Sequence, residues 1–163
     1  MLEREDFILL LNKHQKIVHK VCSLYLKEAA DREDLFQEIV LQAWKSYATF
    51  KGNSQFSTWL YRVALNTAIT FSKKNKITSK EIDLETLSET SETFNPIEEQ
   101  TQAMYKAIEN LSKIEKALVM LYLDDYNYND IGEILGTTAN NVAVKMLRVK
   151  EKLKNLTQQH YQL

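Results

Sequence analysis

The sequence predicts an all-α protein made of two small helical domains joined by a linker. Three observations carry that expectation. Only three glycines and one proline interrupt 163 residues, a composition that favours helix over strand-and-turn architectures. Apolar side chains recur at three- and four-residue steps along most of the chain, the spacing of one helix face. Between Lys76 and Pro96 the chain instead turns rich in Ser, Thr and Glu, with apolar residues only at intervals. The expected division is therefore residues 1–75, an acidic linker over 76–96, and a second domain over 97–163.

Composition removes several function classes. Hydrophobic residues make up 44% of the chain, enough for a buried core and too much for a disordered protein. Cys22 stands alone among Ile17, Val18, Val21 and Leu24, so no internal disulfide or cysteine zinc cluster can form, and a buried, inert thiol is expected. The N-terminus lacks the layout of a signal peptide, and no apolar run approaches the ~20 residues that span a bilayer. A cytoplasmic protein without stable membrane insertion is expected. His14, His19 and His160 are scattered, and no nucleophile–base set or glycine-rich phosphate loop accompanies them. Catalysis, metal and cofactor are accordingly not expected.

In the first domain, Asp31–Tyr47 opens with an acidic turn that suits a helix N-terminus. Leu35, Phe36, Ile39, Val40, Ala43, Trp44 and Tyr47 form its wide inward face. Asp34, Gln37, Glu38, Gln42 and Lys45 point outward, with Leu41 in their midst, an apolar residue ringed by polar ones as at a protein-docking patch. A polar loop follows, Lys51-Gly52-Asn53-Ser54-Gln55, set between Phe50 and Phe56. Ser57 is expected to cap the next helix. That helix turns Trp59, Leu60, Val63, Ala64, Thr67, Ala68 and Phe71 inward and Arg62, Asn66, Thr70 and Lys73 outward. Amides beside basic groups suit single-stranded nucleic acid, with bases held by hydrogen bonds while cations follow the phosphates.

In the linker, Glu81–Leu87 has the pattern of a transient helix, and Asn95-Pro96 breaks any helix arriving there. Beyond it, Tyr128–Leu156 reads as two helices hinged at Gly136, which tolerates positive φ. Thr138 can cap the second. Val142, Met146, Val149, Leu153 and Leu156 make its core stripe. Thr138, Asn140, Asn141, Val144, Lys145, Leu147, Arg148 and Lys150 remain for an outer, DNA-facing surface, as a helix-turn-helix requires. Although the net charge is −1, residues 1–75 carry 11 basic and 8 acidic side chains, residues 76–97 carry 2 and 5, and Asn140–Leu156 carry five and one. Basic charge thus gathers where phosphates would lie.

Three stretches, D-R-E-D-L-F-Q-E-I-V-L-Q-A-W, F-S-T-W-L-Y-R-V-A-L-N-T-A and L-S-K-I-E-K-A-L-V-M-L-Y-L…Y-N-D-I-G-E-I-L-G, occur in this order. Together they resemble the bacterial RNA polymerase sigma factors of the extracytoplasmic-function group, within the sigma-70 family, over nearly the whole chain. The resemblance implies that Asp34, Gln37, Glu38 and Leu41 dock on the clamp helices of core RNA polymerase. It implies that Lys51, Asn53, Ser54, Gln55, Arg62 and Asn66 engage the non-template strand of the minus-ten element, with Trp59 mainly structural. The C-terminal helix would read the minus-thirty-five element of promoter DNA, its domain would touch the polymerase flap, and an anti-sigma factor would hold the protein idle. Where the family often carries a basic residue, a serine and a second arginine, this chain has Ala143, Val144 and Lys150. Bidentate guanine reading is weakened there, so an A/T-leaning element is expected, with Val144 and Leu147 on thymine methyls and Asn140 or Asn141 on adenine. The rival reading, a stand-alone helix-turn-helix regulator, accounts for the C-terminal half and leaves the N-terminal motifs unexplained.

Overall fold

The structure, a computed structural model, describes residues 2–74 and 96–161. They form eight helices and, among the described residues, no strand: α1 Leu2–Lys13, α2 Gln15–Tyr25, α3 Ala29–Tyr47, α4 Phe56–Lys74, α5 Pro96–Glu109, α6 Lys113–Leu123, α7 Tyr128–Leu135 and α8 Ala139–Tyr161. The chain divides into two units, Met1–Ile77 and Thr78–Leu163. The proposed linker 76–96 falls outside the described residues except for Pro96. That proline is the first residue of α5, where its missing N–H costs nothing and its fixed φ suits a helix start. The transient helix expected at Glu81–Leu87 also lies outside the described residues.

In the first unit α4 packs against both α2 and α3. Its buried arc is therefore broader than a single stripe. Leu60, Ala64 and Ala68 are buried as the periodicity requires, but so are Tyr61 and Leu65, whereas Trp59, Val63, Thr67 and Phe71 are only partly covered. These side chains meet Val18, Val21 and Cys22 of α2 and Leu35, Ile39 and Ala43 of α3 in one core. Ser57 is not a cap: α4 starts at Phe56, and the Gln55 carbonyl accepts the Trp59 N–H at 3.1 Å. Between α2 and α3, the Arg32 Nε donates to the Leu26 carbonyl at 2.8 Å and closes the turn. Burial pushes the Cys22 thiol up to about 11, with Arg32 opposing, so the thiol stays protonated and inert at neutral pH. The isolated histidines have packing roles. His14 Nδ1 lies 2.9 Å from the Leu10 carbonyl, and His19 stacks on Phe36 with ring centroids 4.8 Å apart.

The second unit is built on α8. Val142, Met146 and Val149 are buried against Ala117, Leu118 and Leu121 of α6 and Ile131 and Ile134 of α7. Leu153 and Leu156, expected in the same stripe, are half-buried, because α8 with 23 residues outruns the eight of α7. The hinge depends on two glycines. Gly136 sits at φ 74°, closing α7 in a left-handed cap. At Gly132 a Cβ would lie 2.7 Å from the Thr137 carbonyl oxygen, so only glycine lets the turn fold back onto α7.

Ser112 and Glu115 form a capping box at the start of α6. The Ser112 hydroxyl accepts from the Glu115 N–H at 3.2 Å, and the Glu115 carboxylate accepts from the Ser112 N–H at 3.0 Å. The same carboxylate takes Lys152 of α8 at 3.2 Å, so a lysine that sequence phase left for phosphate instead braces α8 on α6. Partial burial pushes the Glu115 pKa up, but the Ser112 and Lys152 contacts outweigh it and the net shift is downward. A carboxyl held low in the fold stabilises above its unfolded pKa, and that stability is lost as pH falls through the folded value. Ser112→Ala should therefore cost about 1 kcal/mol in urea unfolding at pH 7. The penalty of Glu115→Gln should shrink as the pH is lowered below 4; a penalty constant across that range would show that the carboxylate charge contributes nothing.

Candidate docking groove and nucleic-acid interface

Helix α3 presents two apolar stripes, and only one is covered. Leu35, Ile39 and Ala43 face the core. Phe36, Val40 and Trp44 turn toward α1, which is anchored by Phe7 on Trp44 and on Tyr47, each at 5.2 Å. An open groove of about 510 Å³ remains, its walls completed by Arg4 and Ile8 of α1 and Gln37 and Leu41 of α3. Trp44, expected inward, is 42% exposed, and Leu41 is 45% exposed. One short helix cannot cover a stripe that runs the length of α3. Of the sequence-predicted docking residues, Gln37 and Leu41 line this groove. Asp34 is exposed one turn before it, and Glu38 accepts a hydrogen bond from Gln42 at 3.0 Å. Arg4, Phe7, Ile8 and Trp44 were not foreseen. The signal was the apolar run Phe7–Leu11, of which only Phe7 is fully buried.

The loop between α3 and α4 rides on an aromatic cluster. Phe50 lies 5.2 Å from Trp59 and 5.9 Å from Phe56, Phe56 lies 5.4 Å from Trp59, and Tyr47 lies 6.2 Å from both Phe50 and Trp59. With the aromatic side chains holding the loop from below, Lys51, Asn53 and Gln55 stand exposed and Ser54 is half-covered. Arg62 and Asn66 are exposed on α4. Trp59, half-buried in the cluster, supports the loop. Exposed amides and cations thus follow one another from the loop onto α4, residue types that can take unpaired bases and their phosphates.

On α8, Thr138 caps as expected, its hydroxyl accepting the Asn141 N–H at 3.2 Å. The Asn141 side-chain amide donates to the Thr137 hydroxyl at 3.2 Å, so it is turned back onto the hinge. Asn140, Val144, Leu147 and Arg148 are exposed on the face away from Val142, Met146 and Val149, and Lys145 is exposed on the flank. Lys150 leans onto α6, with Nζ 3.5 Å from the Tyr122 hydroxyl and 4.6 Å from its ring centroid. Glu151 is exposed two turns beyond Val144 on the same face. A carboxylate there opposes phosphate.

Comparison with known proteins places each unit in a family. Sigma-70 region 2 matches residues 10–77, and Sigma-70, region 4 matches residues 101–153. The ECF RNA polymerase sigma-E factor of Escherichia coli (strain K12) is 29% identical over 172 residues, spanning 96% of this chain and 88% of that protein. That of Haemophilus influenzae is 27% identical over 175 residues, spanning 96% and 89%. Among solved structures, the sigma factor RpoE of Bartonella quintana, crystallised with the anti-sigma factor NepR, superposes with a TM-score of 0.67 at 20% identity, covering 94% of this chain and 98% of that one. CnrH, solved with the cytosolic domain of CnrY, gives 0.68 at 15% identity, covering 96% and 90%. With both sigma-70 regions present in order and the relatives aligned nearly end to end, the chain belongs to the extracytoplasmic-function group of sigma factors.

Proposed function

We propose that this sigma factor, which directs core RNA polymerase to promoters, divides that task among three surfaces. The α1/α3 groove docks on the clamp helices of the polymerase, with Leu41, Trp44 and Ile8 as the apolar contacts and Asp34, Gln37 and Glu38 around them. The loop 51–55 with Arg62 and Asn66 holds the melted minus-ten strand. The exposed face of α8 reads the minus-thirty-five element, and the second unit also meets the flap. The observation that carries the reading is the unfilled groove on α3, because a lone DNA-binding regulator has no use for it. The protein acts by binding, in the cytoplasm where the polymerase works, as the sigma-factor relatives suggest. Among the described residues no helix is long and apolar enough to cross a membrane. One relative of this fold was solved with an anti-sigma factor and another with the cytosolic domain of CnrY, and we infer an anti-sigma partner here.

Run-off transcription with purified core polymerase on a promoter library tests the whole assignment. Initiation at a defined motif only when core and this protein are both present is expected; tight palindrome binding without core would overturn it. In the same assay, Ile8→Asp with Leu41→Asp should leave the helical content unchanged, since both positions are exposed, and weaken core binding by roughly tenfold or more, as loss of a central apolar contact does.

Asn66→Ala, or Asn53→Ala with Gln55→Ala, should impair promoter opening more than closed-complex formation, because unpaired bases exist only after melting. Permanganate reactivity of thymines near the start site reads this out, and equal reactivity with mutant and parent would count against the loop.

On α8, Arg148→Ala should cost roughly 1–3 kcal/mol on the preferred promoter and relax selectivity at one base pair. Glu151→Gln should raise affinity evenly across promoter variants. Binding isotherms over a panel of single-base variants distinguish the two, and a sequence-independent loss with Arg148→Ala would make that residue a phosphate anchor.

A further inference from the structure

We propose that Val144 and Leu147 read thymine 5-methyl groups in the major groove, so that the upstream element of this factor is selected by methyls as well as by hydrogen bonds. The inference rests on the assignment of α8 as the recognition helix and adds the class of base it takes. Val144 is 44% and Leu147 64% exposed, on a helix whose core side is already filled by Val142, Met146 and Val149. They add nothing to that core. The edges of base pairs in the major groove carry donors, acceptors and a single apolar group, the thymine methyl. An aliphatic side chain set against a G·C pair would cover polar atoms and leave them without partners, which is unfavourable; against thymine it gains a buried methyl. Three residues of helix advance about 4.5 Å, and base pairs are about 3.4 Å apart, so the two side chains meet neighbouring or next-neighbouring steps. Around them the polar readers are few. Asn141 is turned onto Thr137 and Lys150 onto Tyr122, which leaves Asn140 one turn before Val144 for adenine and Arg148 one turn after it for guanine.

The test uses the holoenzyme. An upstream element is first selected from a randomised library, and each thymine in it is then replaced singly by uracil, which removes only the methyl. With the parent protein, one or two of these replacements should weaken binding about fourfold, the contribution of one buried methyl. With Val144→Ser and Leu147→Ser, both at exposed positions, the corresponding uracil replacements should have no effect. A selected element without thymine, uracil replacements that are neutral with the parent, or an equal uracil penalty in parent and variants would each overturn the proposal while leaving the recognition-helix assignment intact. Selection of no upstream element at all would overturn both. Unchanged methyl dependence together with loss of core binding in the variants would assign Val144 and Leu147 to a protein contact instead.

Discussion

Each unit buries its helices around a core only three or four helices wide, and such a core cannot enclose every apolar side chain that its helices carry. The remainder are arranged rather than scattered. On α3 the second stripe is left open as a groove beside α1, and on α8 Val144 and Leu147 project from the face opposite the core. The surfaces proposed here for polymerase and for promoter are the apolar surplus of the two cores. Exposed apolar groups of this kind carry a solubility cost in the free protein, and the partners that cover them remove it.

The geometry around these surfaces is held by short-range devices. Gly132 admits the Thr137 carbonyl where any side chain would collide, and that approach sets how α8 leaves the hinge. The α6 capping box and the Glu115–Lys152 pair then fix α8 from the other side. In the first unit, the aromatic cluster of Tyr47, Phe50, Phe56 and Trp59 does the same for the loop above it. It also joins, through Tyr47 and Phe7, to Trp44 in the groove. The groove beside α1 and the loop between α3 and α4 thus share one continuous aromatic wall.

Much of this was legible in the sequence, and the misses have a common origin. Helix class, the Gly136 hinge, the Thr138 cap and the Val142–Met146–Val149 stripe follow from local rules of period and capping, which need no knowledge of neighbours. Trp44 on α3 was misplaced, and Tyr61 and Leu65 of α4 were left unassigned, because a helical period gives an apolar arc without saying which neighbour covers which part of it. Helix α1 was unread as a groove wall since five consecutive apolar residues, Phe7–Leu11, define no face. Lys150 and Lys152 were counted with the DNA-facing charge, because charge patterning along one helix cannot reveal Tyr122 and Glu115 on another.

That last pairing changes how the protein meets a polyanion. Of the five basic side chains between Asn140 and Leu156, two are engaged with α6 before any nucleic acid arrives. Each lysine so engaged is one fewer to displace condensed counterions from the duplex, which lowers the share of sequence-independent attraction, and of salt dependence, that this helix can supply.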